Sequence, residues 1–322
     1  MTKEWIIGLI VGFVLLSVGF YFLTTIIASH QIYVKTLKRK NKDQWGRKVS
    51  IPTPETLEMD RLGTQWQKEH DAYKRDVHIV NNGLNLYGEY YDIGASRAVI
   101  FLSGRTESLR YGYYFAKPYT DNGWNVLVID ARAHGYSDGE FNTLGNEESK
   151  DDLAWARFLN REFGVETIVF HGVCIGAAGG ILAITSEDCP PCVKGLITEG
   201  MFPNFRESMR NNLIERKRLM FPVLQCIDFW AVRYTGHSMK KGPLDVISKM
   251  DKPILMLQSK LDKFSKVENA HKMFNLCPST EKKLALFERG KHSMLRLTFT
   301  EEYDAEITQF LHRLTEAKEG VV

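Results

Sequence analysis

The apolar pattern changes character near residue 30. From Trp5 to Ser29 no charged residue occurs, and the run Ile6 to Leu16 continues through Val18, Phe20, Phe22, Leu23, Ile26 and Ile27. About 20 apolar residues make a helix long enough to cross the hydrocarbon layer, where a single segment satisfies its backbone polar groups only as a helix. A secretory signal has a shorter apolar core of about 7–15 residues, so residues 1–29 are expected to form an uncleaved transmembrane anchor.

Residues 30–54 are basic, close on Pro52 and Pro54, and are expected to form a linker. Residues 55–70 have the spacing of a short amphipathic helix with Leu57, Leu62 and Trp66 on its packed face. Val77–Val80 and Leu84–Tyr91, joined by Asn81-Asn82-Gly83, predict a hairpin whose turn needs positive φ. Beyond it, apolar runs alternate with helical patterns: strands over 98–102, 125–129, 167–172, 194–199, 253–258 and 282–287, and helices over 111–120, 146–163, 175–185 and 300–315. Short, fully apolar strands separated by helices predict an α/β fold, a mostly parallel sheet covered on both faces. The segment 201–249 has no strand pattern, and 204–234 reads as two helices. An insertion at the carboxyl ends of the strands would form a helical lid. Met201, Phe202, Leu219, Met220, Phe221, Phe229 and Trp230 would line its entrance if they face the site; the alternative is ordinary core helix.

Length and composition fit one catalytic domain over residues 55–322: 322 residues, 44% hydrophobic and 25% charged. The net charge of +3 is too small, and the basic residues beyond 48 too dispersed, for nucleic-acid binding. Only Lys3 precedes the apolar span, whereas Lys35, Lys38, Arg39, Lys40, Lys42, Arg47 and Lys48 follow it. The positive-inside tendency therefore predicts a single-pass membrane protein with a cytoplasmic domain. Five cysteines, an odd number, do not suggest a secreted disulfide framework.

The candidate chemistry lies at strand ends. His171-Gly172-Val173-Cys174-Ile175-Gly176 places Cys174 between a strand and a helix in a G-x-nucleophile-x-G frame, where side chains two residues to either side would clash. Asp262 follows the strand 253–258, and His292 follows 282–287. Cys174, Asp262 and His292 thus occur in the order nucleophile, acid, histidine.

With these parts in place, residues 75–315 resemble the α/β-hydrolase superfamily, in particular its serine aminopeptidase S33-like, membrane-anchored bacterial branch. The loop Asp130-Ala131-Arg132-Ala133-His134-Gly135-Tyr136-Ser137-Asp138-Gly139 is similar to that branch's D-x-R-x-H-G-x-S-x-G segment. Thr143-Leu144-Gly145, Glu148 and Asp151-Asp152 resemble the segment after it. The resemblance implies cofactor-free hydrolysis of an ester, thioester or amide bond in a small-molecule acyl or peptide substrate. Acyl transfer on the same fold and a catalytically silent tethered scaffold are the alternatives.

Two departures stand out. Ser103-Gly104-Arg105 replaces the usual His-Gly of the oxyanion strand, which leaves the backbone N–H groups of Arg105 and Ile175 as the oxyanion donors. Cys174 replaces the usual serine. Arg132, His134 and Ser137 are expected to fix the loop, Ser103 to cap a turn or else to sit near the oxyanion hole, and His171 to be a core histidine. Cys189-Pro190-Pro191-Cys192 follows a helix, unlike a redox motif, and lacks a second pair of zinc ligands. A disulfide there would require an oxidising compartment.

Overall fold

The computed structural model describes residues 2–319. Eight strands form one sheet: β1 (Lys74–Asn81), β2 (Leu84–Tyr91), β3 (Arg97–Leu102), β4 (Asn125–Ile129), β5 (Thr167–Val173), β6 (Val193–Glu199), β7 (Ile254–Ser259) and β8 (Lys282–Phe287). Their spatial order is β1-β2-β4-β3-β5-β6-β7-β8. The β1–β2 and β2–β4 pairings are antiparallel and the rest parallel. At the β1–β2 hairpin, Asn82 and Gly83 take φ of 48° and 76°, the geometry expected of that turn.

The helices are α1 (Lys3–Leu37), α2 (Pro54–Glu69), α3 (Arg110–Asp121), α4 (Asn146–Phe163), α5 (Ile175–Ile184), α6 (Phe205–Glu215), α7 (Val223–Thr235), α8 (Pro243–Val246), α9 (Val267–Leu276), α10 (Leu295–Thr298) and α11 (Thr300–Glu319). Because side chains alternate across a strand, Ile100, Leu127 and Phe170 face α4, α5 and α9, while Phe101, Val128 and Val169 face α2, α3 and α11. Helices α6, α7 and α8 form the insertion between β6 and β7. A third core joins it to Ile175, Leu144 and, from α1, Tyr33 and Leu37.

Three expectations change. The segment 30–54, expected as a basic linker, packs on the domain. Helix α1 runs on to Leu37, burying Thr25, Ser29, Tyr33 and Leu37 at four-residue spacing, and Trp45 is buried. Arg39 donates to the carbonyls of Ser137 and Lys42, and Arg47 lies 3.0 Å from Asp130. On α2 Trp66 is buried and Leu62 half-buried against the core as expected, but Met59 and Gly63 share that face and Leu57 is exposed. The helix is turned so that Gly63 meets α3, where a Cβ would lie 2.8 Å from Tyr114 N. The apolar lid residues do not line one entrance either. Met201 and Phe202 are core, whereas Leu219, Met220, Phe221 and Phe229 face outward.

Candidate active site

The turn after β5 carries Cys174 at φ 56°, ψ −113°, a conformation that non-glycine residues rarely hold. Its neighbours explain how it is held. A Cβ on Gly172 would lie 2.5 Å from Ala177 N, and one on Gly176 would lie 2.0 Å from Leu102 O. Both glycines are therefore obligatory for strand β5 to enter α5 against the end of β3. The result lifts the Cys174 side chain to the carboxyl edge of the sheet, with the start of α5 directly behind it.

His292, after β8, approaches from the side. Its Nδ1 lies 2.6 Å from Oδ2 of Asp262, which follows β7. The other carboxylate oxygen of Asp262 accepts the N–H groups of Phe264 (2.8 Å) and Ser265 (2.9 Å), so the acid is fixed on both sides. His292 and the Cys174 thiol are electrostatically coupled, each favouring the charged form of the other. Gly200 makes room for the ring, since a Cβ there would sit 3.0 Å from His292 Cε1.

The electrostatics favour an ion pair. Burial opposes ionisation of Cys174, but the His292 charge and hydrogen bond, the Arg105 guanidinium and the Ile175 N–H outweigh it and hold the thiol below its ordinary range. Burial likewise opposes the His292 cation. The charges of Cys174 and Asp262, with their hydrogen bonds, overcome it and push His292 well above the usual imidazole range. A thiolate beside an imidazolium is the nucleophilic form of cysteine.

The two expected oxyanion donors lie on segments next to Cys174. Ile175 opens α5 immediately after Cys174, and its N–H helps lower the thiol pKa. Gly104, before Arg105, is close enough that a Cβ on it would be 3.7 Å from that of Cys174. The Arg105 side chain reaches α1, where Nη1 donates to Thr36 O at 2.9 Å.

The remaining candidates divide as follows. Arg132 grips Asp151 through two bonds of 2.7 and 2.8 Å, His134 is stacked on Trp45, and Ser137 bonds Asp130 O at 2.6 Å. All three brace the loop behind the site. Burial drops His134 to about 4, which leaves it neutral. His171 is a core residue between the hydroxyls of Tyr119 (2.9 Å) and Tyr303 (3.1 Å), and burial pushes it down to about 3. Ser103 does not cap a turn: its buried hydroxyl has no partner among the described residues. Cys189 and Cys192 are free thiols, and Lys252 Nζ lies 3.2 Å from Cys189 Sγ. Among the described residues no cluster suits a metal ion.

One residue escaped the sequence reading. Glu199, at the end of β6, accepts Cys174 N on its backbone oxygen at 2.9 Å, and its buried carboxylate accepts Leu295 N (3.0 Å) and the Tyr303 hydroxyl (2.8 Å). It ties the turn at Cys174 to the segment that follows His292. Burial raises it to about 7. A single acid at a strand end gives no signal in the sequence.

A sheet of this order, antiparallel only where β2 joins its neighbours and with a strained turn after its fifth strand, is the α/β-hydrolase fold. Solved structures agree. The chain is similar to the Pyrococcus furiosus esterase Pf2001 (TM-score 0.64, 21% identity, 77% of this chain and 93% of that one). It is also similar to the esterase EaEST of Exiguobacterium antarcticum (0.56, 16%, 74% and 100%) and to a 2,6-dihydroxy-pseudo-oxynicotine hydrolase (0.58, 16%, 82% and 75%). At such identities the likeness establishes the fold alone. No family model matches the chain. It belongs to the family of the uncharacterized protein YqkD of Bacillus subtilis, to which it is 30% identical over 216 residues, 66% of this chain and 68% of that protein.

Proposed function

We propose that the protein is a hydrolase that cleaves an ester, thioester or amide through a covalent acyl-enzyme on Cys174. The observation that carries this reading is the Asp262–His292 hydrogen bond of 2.6 Å beside a strained-turn thiol that the His292 charge helps hold below its ordinary range. In the proposed cycle, the thiolate attacks the acyl carbonyl and the N–H groups of Arg105 and Ile175 take up the oxyanion. His292 protonates the leaving group and then activates water against the thioester, while Asp262 orients the ring. Thioester and activated ester donors should exceed amides, because a thiolate leaves the tetrahedral intermediate more readily than an unprotonated amine. The names of the similar esterases, and the resemblance of the loop 130–139 to the S33-like branch, point to the same reaction class. Transfer of the acyl group to an acceptor other than water uses the same intermediate.

Location completes the reading. Helix α1 is long and apolar enough to cross a membrane, and its 18-residue apolar window is unburied by protein. A cleaved signal would remove a helix whose Tyr33 and Leu37 fill a core beside Ile175, and this supports a retained anchor. With most basic residues after the span, the domain would face the cytoplasm, where a catalytic thiol stays reduced. The deciding experiment is brief iodoacetamide treatment of the full chain, followed by peptide mapping and assay on p-nitrophenyl esters and acyl thioesters. Alkylation should map to Cys174 and abolish turnover, and Cys174→Ala should be inactive. Full activity in Cys174→Ala would refute the mechanism.

A further inference from the structure

The lid and the apolar helix lie side by side. Helices α1 and α7 run in the same direction in close contact. Tyr21 Oη donates to Phe221 O (3.4 Å), Trp230 Nε1 donates to Ile26 O (3.3 Å), and His30 Nε2 lies 2.8 Å from the Tyr234 hydroxyl. The start of α7 therefore sits at the level of Tyr21. That is six residues inside the apolar stretch ending at Ile27, about 9 Å at 1.5 Å per residue.

The connection between α6 and α7 has the composition such a depth requires. Leu219 is 69% exposed and Phe221 65%, with Met220 between them and Phe229 and Val232 on the outer face of α7. No aspartate or glutamate occurs from Arg216 to Ile227. Immediately before the apolar tip come Arg216, Lys217 and Arg218, all exposed. Long basic side chains can keep their stems in an apolar layer and their charges at the headgroups. An apolar tip below a basic collar, continuous with a membrane-length helix, fits a bilayer with anionic lipid better than a protein partner.

Resting on the reading of α1 as a retained anchor, we infer that residues 216–221 and the outer face of α7 are seated in the bilayer that α1 enters. The lid is then a second membrane contact. The third core, which Cys174 abuts, lies between that contact and the sheet. Acyl donors dissolved in the membrane would meet the lid before they met bulk water.

The test uses the full chain, one copy per bilayer disc of mixed zwitterionic and anionic phospholipid, so that both membrane faces are open and no second copy can cover the lid. Single cysteines are placed by Leu219→Cys and Phe221→Cys, by Val80→Cys as an exposed reference on β1, and by Ile10→Cys within the anchor. Labelling by a charged, water-soluble maleimide is followed by peptide mapping, which separates these sites from the native thiols. The lid sites should react about tenfold or more slowly than Val80→Cys, because the reagent does not enter hydrocarbon. If Ile10→Cys is protected but the lid sites react as fast as Val80→Cys, the lid seat is overturned and the anchor stands. If Ile10→Cys also reacts fast, the anchor reading fails and this inference falls with it. Neither outcome depends on enzymatic activity.

Discussion

Arg105 Nη1 donates to the carbonyl of Thr36 at 2.9 Å, so the last turn of the apolar helix is bound to a residue whose guanidinium lies in the field of Cys174. One side chain thus serves both the docking of α1 and the ionisation of the thiol. Arg105→Gln removes the cation and should move the pH midpoint of Cys174 alkylation upward, since a positive neighbour favours the thiolate. Arg105→Lys keeps the charge on a shorter reach to Thr36 and should move it less. Rates of iodoacetamide inactivation against pH, taken for all three proteins, give the comparison. Coincident profiles would mean the guanidinium has no hold on the thiol.

Asp262→Asn should leave the fold intact, because the asparagine oxygen can still accept Phe264 and Ser265. It removes the charge that helps keep His292 protonated and fixes its tautomer. Turnover should fall by about 10²–10⁴-fold, by analogy with the acid of a serine triad. The thiol should need higher pH to react, because the thiolate and imidazolium stabilise each other. Unchanged thermal unfolding together with unchanged activity would remove Asp262 from the mechanism.

How far the sequence reaches can be seen residue by residue. The sheet strands were legible because each is a short apolar run with its neighbours set off by turn or helix residues, as at Asn125–Ile129 and Lys282–Phe287. The positions of Cys174, Asp262 and His292 at strand ends were legible because each follows an apolar run that marks its strand. The docking of α1 was not. Its buried stripe contains Thr25 and Ser29, which look no different from other small residues in an apolar helix until α7 lies beside them. Arg39 and Arg47 looked like solvated linker charges because nothing in one sequence announces that the loop 130–139 turns its carbonyls and a buried aspartate toward them. Helix α9 carries only Ala270 and Met273 into the core, too thin a stripe to stand out.

The close fit at the Cys174 turn predicts a sharp contrast between two glycines of the same helix. In Gly176→Ala the new Cβ would meet backbone, 2.0 Å from Leu102 O and 2.7 Å from Ser103 O, and neither β3 nor α5 can retreat without moving the turn. The cost should be about 3 kcal/mol or more, with loss of activity. In Gly179→Ala the nearest atom is the Asp152 carboxylate at 3.2 Å, a side chain that can shift. Alanine's better helix propensity, about 1 kcal/mol, should offset most of the strain. Denaturant midpoints for the two variants in the same detergent decide the matter, and equal losses would mean that the turn is not the tight point.

Glu199 predicts a pH dependence of stability with a definite sign. In the folded protein burial outweighs its bonds from Leu295 and Tyr303 and lifts the carboxyl from 4.5 to about 7. In the unfolded chain it should titrate near the ordinary value. Between those two values the folded state keeps a proton that the unfolded state has released, so stability falls as pH rises through this window. Below it the group is protonated in both states and contributes no pH dependence. Above it the accumulated loss is roughly 3 kcal/mol. Glu199→Gln keeps an oxygen for the Leu295 N–H and cannot ionise, so its stability should lack this component. The difference between the variant and the parent should therefore widen in favour of the glutamine from about pH 4.5 to pH 7 and then level off. Thermal or denaturant unfolding of both proteins across that range, in one detergent, measures the gap. Parallel curves would show that Glu199 does not hold its proton in the folded state, and that its bonds to the segment after His292 are those of an ordinary carboxylate.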